Sequence, residues 1–205
     1  MRSLRSLTQP SSETRNFLNL FYALIFSAFS SSLVHADDHQ QTLTHNYAVQ
    51  LAWGQSRSRW ELNGGVENMK PDSWRISVIK PQVLQFEVFS VPLQLDVDFS
   101  VYHWNDPWLQ RHMSAVSAIP MFRYFRPVGE FEIFAGLGIG FAVLDREQWM
   151  DRQLGSRLQF EDKLELGLRY QQHQVAMNIS HISNANLADV NHGVNVYQLS
   201  YTLYF

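Results

Sequence analysis

The chain has 205 residues, no cysteine and a formal charge of −3. That length fits one domain, the lack of cysteine excludes a disulfide framework and a thiolate metal site, and without a dominant basic block nucleic acid is not an expected partner. Mean hydropathy is −0.22, and beyond the N-terminal segment no apolar run approaches the roughly 20 residues of a membrane-spanning helix.

That N-terminal segment has the plan of a secretory signal. Arg2, Arg5 and Arg15 form a basic start, residues 17–29 are mostly apolar, and Val34-His35-Ala36 resembles a small-residue cleavage site. The pattern predicts a cleaved signal peptide over residues 1–36 and a mature domain over 37–205. An uncleaved anchor is the alternative; the short apolar core and the Ser-rich exit argue against it.

Export, low hydropathy and 14% aromatic residues together suggest an outer-membrane barrel, in which each strand alternates lipid-facing apolar and lumen-facing polar residues. The first alternating stretch, 46–54, places Tyr47, Val49, Leu51 and Trp53 on one face and Asn46, Ala48 and Gln50 on the other. The second is weaker, with Trp74, Ile76 and Val78 against Arg75 and Ser77. Over 91–103, Val91, Leu93, Leu95, Val97, Phe99 and Val101 oppose Gln94, Asp96, Asp98 and Ser100. Residues 112–126 are rich in β formers but have no clear phase.

Over 131–143 a continuous apolar set runs from Phe131 to Val143, backed by Glu132, Gly136, Gly138 and Gly140. Over 157–170, Leu158, Phe160, Leu164, Leu166, Leu168 and Tyr170 share one face, and Arg157, Glu161, Lys163, Glu165 and Arg169 fill the other. Charges of both signs on one face suit a small barrel's interior, since a Lys or Arg facing lipid at mid-membrane costs about 2–4 kcal/mol. The seventh stretch, 173–183, turns Val175, Met177 and Ile179 outward; the eighth, 194–205, does the same with Tyr197, Leu199, Tyr201, Leu203 and Phe205. The predicted fold is all-β, an eight-stranded antiparallel transmembrane β-barrel, which leaves no strand edge for lipid to satisfy. A soluble sandwich or lipocalin-like barrel is the alternative. Segments 55–73 and 104–111 read as loops, and Trp53, Trp74 and Trp104 as members of interfacial girdles.

Residues i and i+2 of a strand face the same way, so His181 and Ser183 share the outward face of Val175, Met177 and Ile179. If both termini lie in the periplasm, the seventh strand ends at the outer surface. A base and a hydroxyl would then sit on the outer wall near the outer leaflet, where polar groups are costly as structure. Interfacial polar residues without a function remain an alternative. Asn184, Asn186 and Asn191 add amide donors, and Gly193 frees a backbone N–H for close approach. Acyl transfer needs a nucleophile, a base and such donors for the oxyanion.

The elements His181-x-Ser183-Asn184-Ala185 and Asn191-x-Gly193, followed by a tyrosine-bearing final strand, resemble the lipid A 3-O-deacylase (PagL) family. Residues 156–163 and 134–138 resemble it too. The resemblance implies a serine esterase of the bacterial outer membrane, active site facing the outer leaflet, that removes the ester-linked 3-hydroxyacyl chain at position 3 of lipid A in lipopolysaccharide. It implies Ser183 as nucleophile, His181 as general base, and Asn184, Asn191 and Gly193 as oxyanion or site-shaping residues. No metal and no organic cofactor is implied, and a homodimer is left open.

There are two departures. Two residues after Gly193, where the family has a glutamate to orient the histidine, this chain has Asn195; residue 186 is Asn where the family commonly has Gly. An amide oxygen can hold the ring through its Nδ1–H, as in Cys-His-Asn sites, but brings no charge to the imidazolium. Asp162, Asp189 and His192 are conceivable substitutes. The competing expectations are an inactive or divergent barrel of this fold, an enzyme for another ester lipid, and a non-enzymatic barrel serving adhesion or membrane integrity.

Overall fold

The computed structural model describes residues 45–57, 72–106, 111–149 and 152–205. The predicted signal segment lies outside them. Eight strands follow one another: β1 (Ala48–Arg57), β2 (Asp72–Val88), β3 (Val91–Asp106), β4 (Arg111–Val128), β5 (Phe131–Leu144), β6 (Leu158–Tyr170), β7 (His173–Ser183) and β8 (Val194–Tyr204). Each pairs antiparallel with the next, and β8 returns to β1, closing the barrel. Gln148–Trp149 and Arg152–Gln153 form a small separate ladder in the β5–β6 connection.

The connections fall into two kinds. Two-residue turns at 89–90, 129–130 and 171–172 mark one end. Residues 46 and 205 are bonded together at that end, Asn46 N–H donating to the Phe205 carbonyl at 2.9 Å. The longer connections 145–157 and 184–193 lie at the other end.

The expected alternation holds on both faces. Leu51, Ile76, Phe99, Leu137, Leu166, Met177 and Leu199 are exposed on the outer wall. Inside, Arg123 bonds Asp96 at 2.6 Å, Asp98 at 2.9 Å and Glu165 at 2.8 Å. Lys163 bonds Asp98 at 2.9 Å and Glu165 at 2.7 Å. Arg75 pairs with Glu161, which also accepts the Tyr102 hydroxyl. A charge taken out of water costs several kcal/mol unless it is paired, and every one of these has a partner. Small residues on β5 make the room: a Cβ on Gly138 would meet the Pro120 carbonyl at 2.3 Å.

Toward the long-loop end the interior becomes apolar. Tyr102, Trp104, Met113, Ala115, Leu144, Trp149, Leu154, Ile182, Val194 and Val196 form one buried cluster. This corrects two expectations. Trp104 is no girdle residue: it is fully buried and stacks on Tyr102, ring centroids 5.3 Å apart. An apolar plug accepts an aromatic on the inner face as readily as lipid does on the outer. Nor is 104–111 all loop, since β3 runs to Asp106 and β4 starts at Arg111. Trp53 and Trp74 do face outward, 61% and 41% exposed.

Candidate active site on the outer wall

The site lies where β7 and β8 reach the long-loop end. Inward residues of this hairpin, Ile182, Val194 and Val196, are buried in the apolar plug. Alternation then sends their neighbours His181, Ser183 and Asn195 to the outer face. The plug therefore clamps the backbone that carries the site.

Asn195 stands directly opposite His181 in the ladder. The His181 ring meets it at 2.7 Å, Nδ1 to Oδ1. With the amide oxygen as acceptor, the ring carries its proton on Nδ1, and Nε2 keeps a lone pair. Asn195 is only 4% exposed, so the contact is shielded from competing solvent. Ser183, two residues beyond His181, is about 6.7 Å away along the strand and shares its face. The spacing suits a hydroxyl and an imidazole that reach toward each other.

Gly193 bounds the ring on the other side. A Cβ there would lie 2.9 Å from His181 Cε1 and 3.4 Å from Nε2. Its φ of +61° is one that residues with a side chain rarely adopt. Space and backbone both call for glycine at this position.

Asn184, Asn186 and Asn191 of the 184–193 loop turn their polar groups onto one another and onto nearby backbone. Asn184 is 2% exposed. Its amide donates to the carbonyls of Leu154 at 2.8 Å and Val190 at 2.7 Å, and its Oδ1 accepts the Asn186 N–H at 2.9 Å. The Asn184 N–H in turn donates to Asn191 Oδ1 at 3.2 Å, and Asn191 Nδ2 donates to Asn186 Oδ1 at 3.1 Å. With both amide hydrogens committed to backbone, Asn184 ties the 184–193 loop to the 145–157 connection. Asn186 has φ +63°, a left-handed conformation that asparagine tolerates better than most residues. The loops are also joined where His192 N–H donates to the Gln153 carbonyl at 3.3 Å and Gln153 N–H donates to His192 Nδ1 at 3.3 Å.

Sequence reasoning missed the supports from the 145–157 connection, Trp149, Leu154 and Gln153. The small ladder that carries Trp149 and Gln153, and Leu154 just after it, have no periodicity to read. Among the described residues no group of acidic or histidine side chains is arranged to hold a metal ion.

The family model for lipid A 3-O-deacylase (PagL) matches residues 84–204, from the later part of β2 to the end of β8. The chain is 37% identical over 95 residues to lipid A deacylase PagL of Bordetella bronchiseptica, covering 46% of this chain and 52% of that protein. It is 31% identical over 109 residues to lipid A deacylase PagL of Pseudomonas aeruginosa, covering 53% of this chain and 62% of that protein. The chain thus spans about half to three-fifths of these relatives' length. A solved structure, described as that of the outer membrane enzyme PagL, superposes with a TM-score of 0.63 at 23% identity, covering 76% of this chain and 98% of that one. That likeness concerns the barrel fold.

Proposed function

This chain belongs to the lipid A 3-O-deacylase (PagL) family, and on that premise we propose that it is an outer-membrane serine esterase cleaving the ester-linked 3-hydroxyacyl chain at position 3 of lipid A. The observation that carries the reading is the 2.7 Å contact between His181 and Asn195 on the outer wall, with Ser183 on the same face. A histidine held in one tautomer beside a hydroxyl, at the level of the membrane surface, is the apparatus acyl transfer needs.

In this reading His181 Nε2 takes the Ser183 proton as Oγ attacks the ester carbonyl. The tetrahedral intermediate collapses, the 3-hydroxyl of lipid A leaves with that proton, and the acyl group stays on Ser183. A water molecule, deprotonated by His181, then releases the fatty acid and restores Ser183. Asn195 fixes the ring through Nδ1, Gly193 gives it room, and Asn184 and Asn191 shape the loop that frames the oxyanion. Barrels of the outer membrane put short turns in the periplasm and long loops outside. On that rule the site meets the outer leaflet, where lipid A resides. The predicted leader, residues 1–36, would be removed on export, so N-terminal sequencing of the outer-membrane protein should begin at Asp37; a start at Met1 contradicts it.

The test is mass spectrometry of lipid A from cells making the protein. Loss of one 3-hydroxyacyl mass is expected, and Ser183→Ala should abolish it while the barrel still folds. Release by folded Ser183→Ala protein would remove Ser183 as nucleophile. The second reading, a barrel that has lost this activity, is favoured by one observation: the group holding His181 is a neutral amide. Unchanged lipid A despite folded surface protein would select it.

A further inference from the structure

His181 has two cross-strand neighbours. On one side is Asn195 of β8. On the other is Asp162 of β6. Directly opposed residues on one face have Cβ atoms about 4.5–5.5 Å apart. Asp162 is exposed on the outer wall, where it interrupts an otherwise apolar row: Leu158, Phe160, Leu164, Leu166, Leu168 and Tyr170. Its neighbour on β5 is Ile139. A carboxylate on a lipid-facing wall is costly even near the interface, and this one stands in the ladder row that holds the histidine.

We propose that Asp162 is a positioning residue for His181, supplying through space the negative charge that Asn195 lacks. This rests on the reading of His181 as general base. When Ser183 gives its proton to Nε2 the ring becomes a cation. Asn195 fixes the ring's orientation; Asp162 stabilises the charge that forms on it. The two duties usually joined in one carboxylate are split between two strands.

The other charged or titratable groups around His181 are placed differently. Glu161 and Lys163 of β6 are buried inside the barrel. Tyr197 occupies the next outward position of β8, opposite Ile179. Arg57 of β1 is one strand further away, opposite Asn195. His192 accepts the Gln153 N–H, and Asp189 lies on the exposed part of the loop.

In the deacylation assay on the folded full chain in detergent micelles, Asp162→Asn should lower kcat about 10-fold with little change in KM. Asp162→Glu should restore most of the lost kcat. In an Asn195→Glu background the loss from Asp162→Asn should shrink, since the charge is already present.

An unchanged kcat in Asp162→Asn beside an inactive Ser183→Ala overturns the proposal, as does a loss that Asp162→Glu does not restore or that Asn195→Glu does not reduce. If instead Ser183→Ala remains active, the esterase reading falls and the proposal falls with it.

Discussion

The lumen and the outer wall of this barrel treat polar groups in opposite ways. Inside, Arg123, Lys163, Asp96, Asp98 and Glu165 are closed to solvent and paired charge to charge. On the wall, His181, Ser183, Asn195 and Asp162 stand among apolar side chains, and the bond to His181 comes from a neutral amide. The lumen's polar groups hold strands together. Those on the wall occupy positions where lipid favours apolar side chains, and a fold that needed only stability would have put leucines there. Polarity in the lumen is therefore weak evidence of function, and polarity on the wall is strong evidence.

Substitutions at four positions test this division. The largest effect on activity is expected from Ser183→Ala, a fall of at least about 10³-fold in deacylation with an unchanged denaturant midpoint. A parallel fall in stability would erase the contrast. In the lumen, Arg123→Ala should do the reverse. Three carboxylates lose their shared cation, and unfolding in detergent should register a loss of about 3–5 kcal/mol. Retained stability would show that the network is not what closes the barrel.

Asn195→Glu joins the two chemistries by giving the wall an ion pair. Deacylation should rise by roughly 10–10²-fold, and Asn195→Ala should fall below wild type. Equal rates in all three would show that residue 195 does not serve the histidine. The smallest effect belongs to Gly193→Ala. The added Cβ crowds the His181 ring and strains a positive-φ backbone, so kcat should fall about 10-fold and stability by about 1–2 kcal/mol. An unchanged kcat would mean that the ring has room to shift without cost.

How much of this was legible in the sequence depended on whether the two faces of a strand differ. β3, β5, β6, β7 and β8 carry polar or small residues inward and apolar residues outward, so their phase could be read directly. β4 could not be phased, because its inward face is largely apolar too: Met113, Ala115, Ile119 and Met121 face in, and Val116 and Phe122 face out. Trp104 was misjudged for the same reason. The parity of Asp96, Asp98 and Ser100 carried on through Tyr102 would have placed it inside. The end of β2 was hidden by irregularity, since pairing with β3 shifts between Lys80 and Leu84 and Gln82 adopts φ +53°.

At the site, the shared face of His181, Ser183 and Asn195 followed from parity alone. That Asn184 spends its amide on Leu154 and Val190 did not, because the first bond depends on a connection thirty residues away in the chain and the second on how the 184–193 loop closes on itself. The row that sets Asp162 beside His181 is likewise a matter of register, which alternation within a single strand cannot supply.

The plug of Trp104, Trp149, Leu154 and their neighbours has a consequence for traffic. Among the described residues the lumen is filled with interlocked charges and capped by packed rings, so the barrel resembles a peg more than a pipe. On the proposed reading a lipid reaches the outer wall sideways through the leaflet, and a freed fatty acid enters the leaflet beside the barrel. Turnover would then depend on two-dimensional crowding and lateral diffusion, and the fluidity of the surrounding leaflet would enter the observed rate.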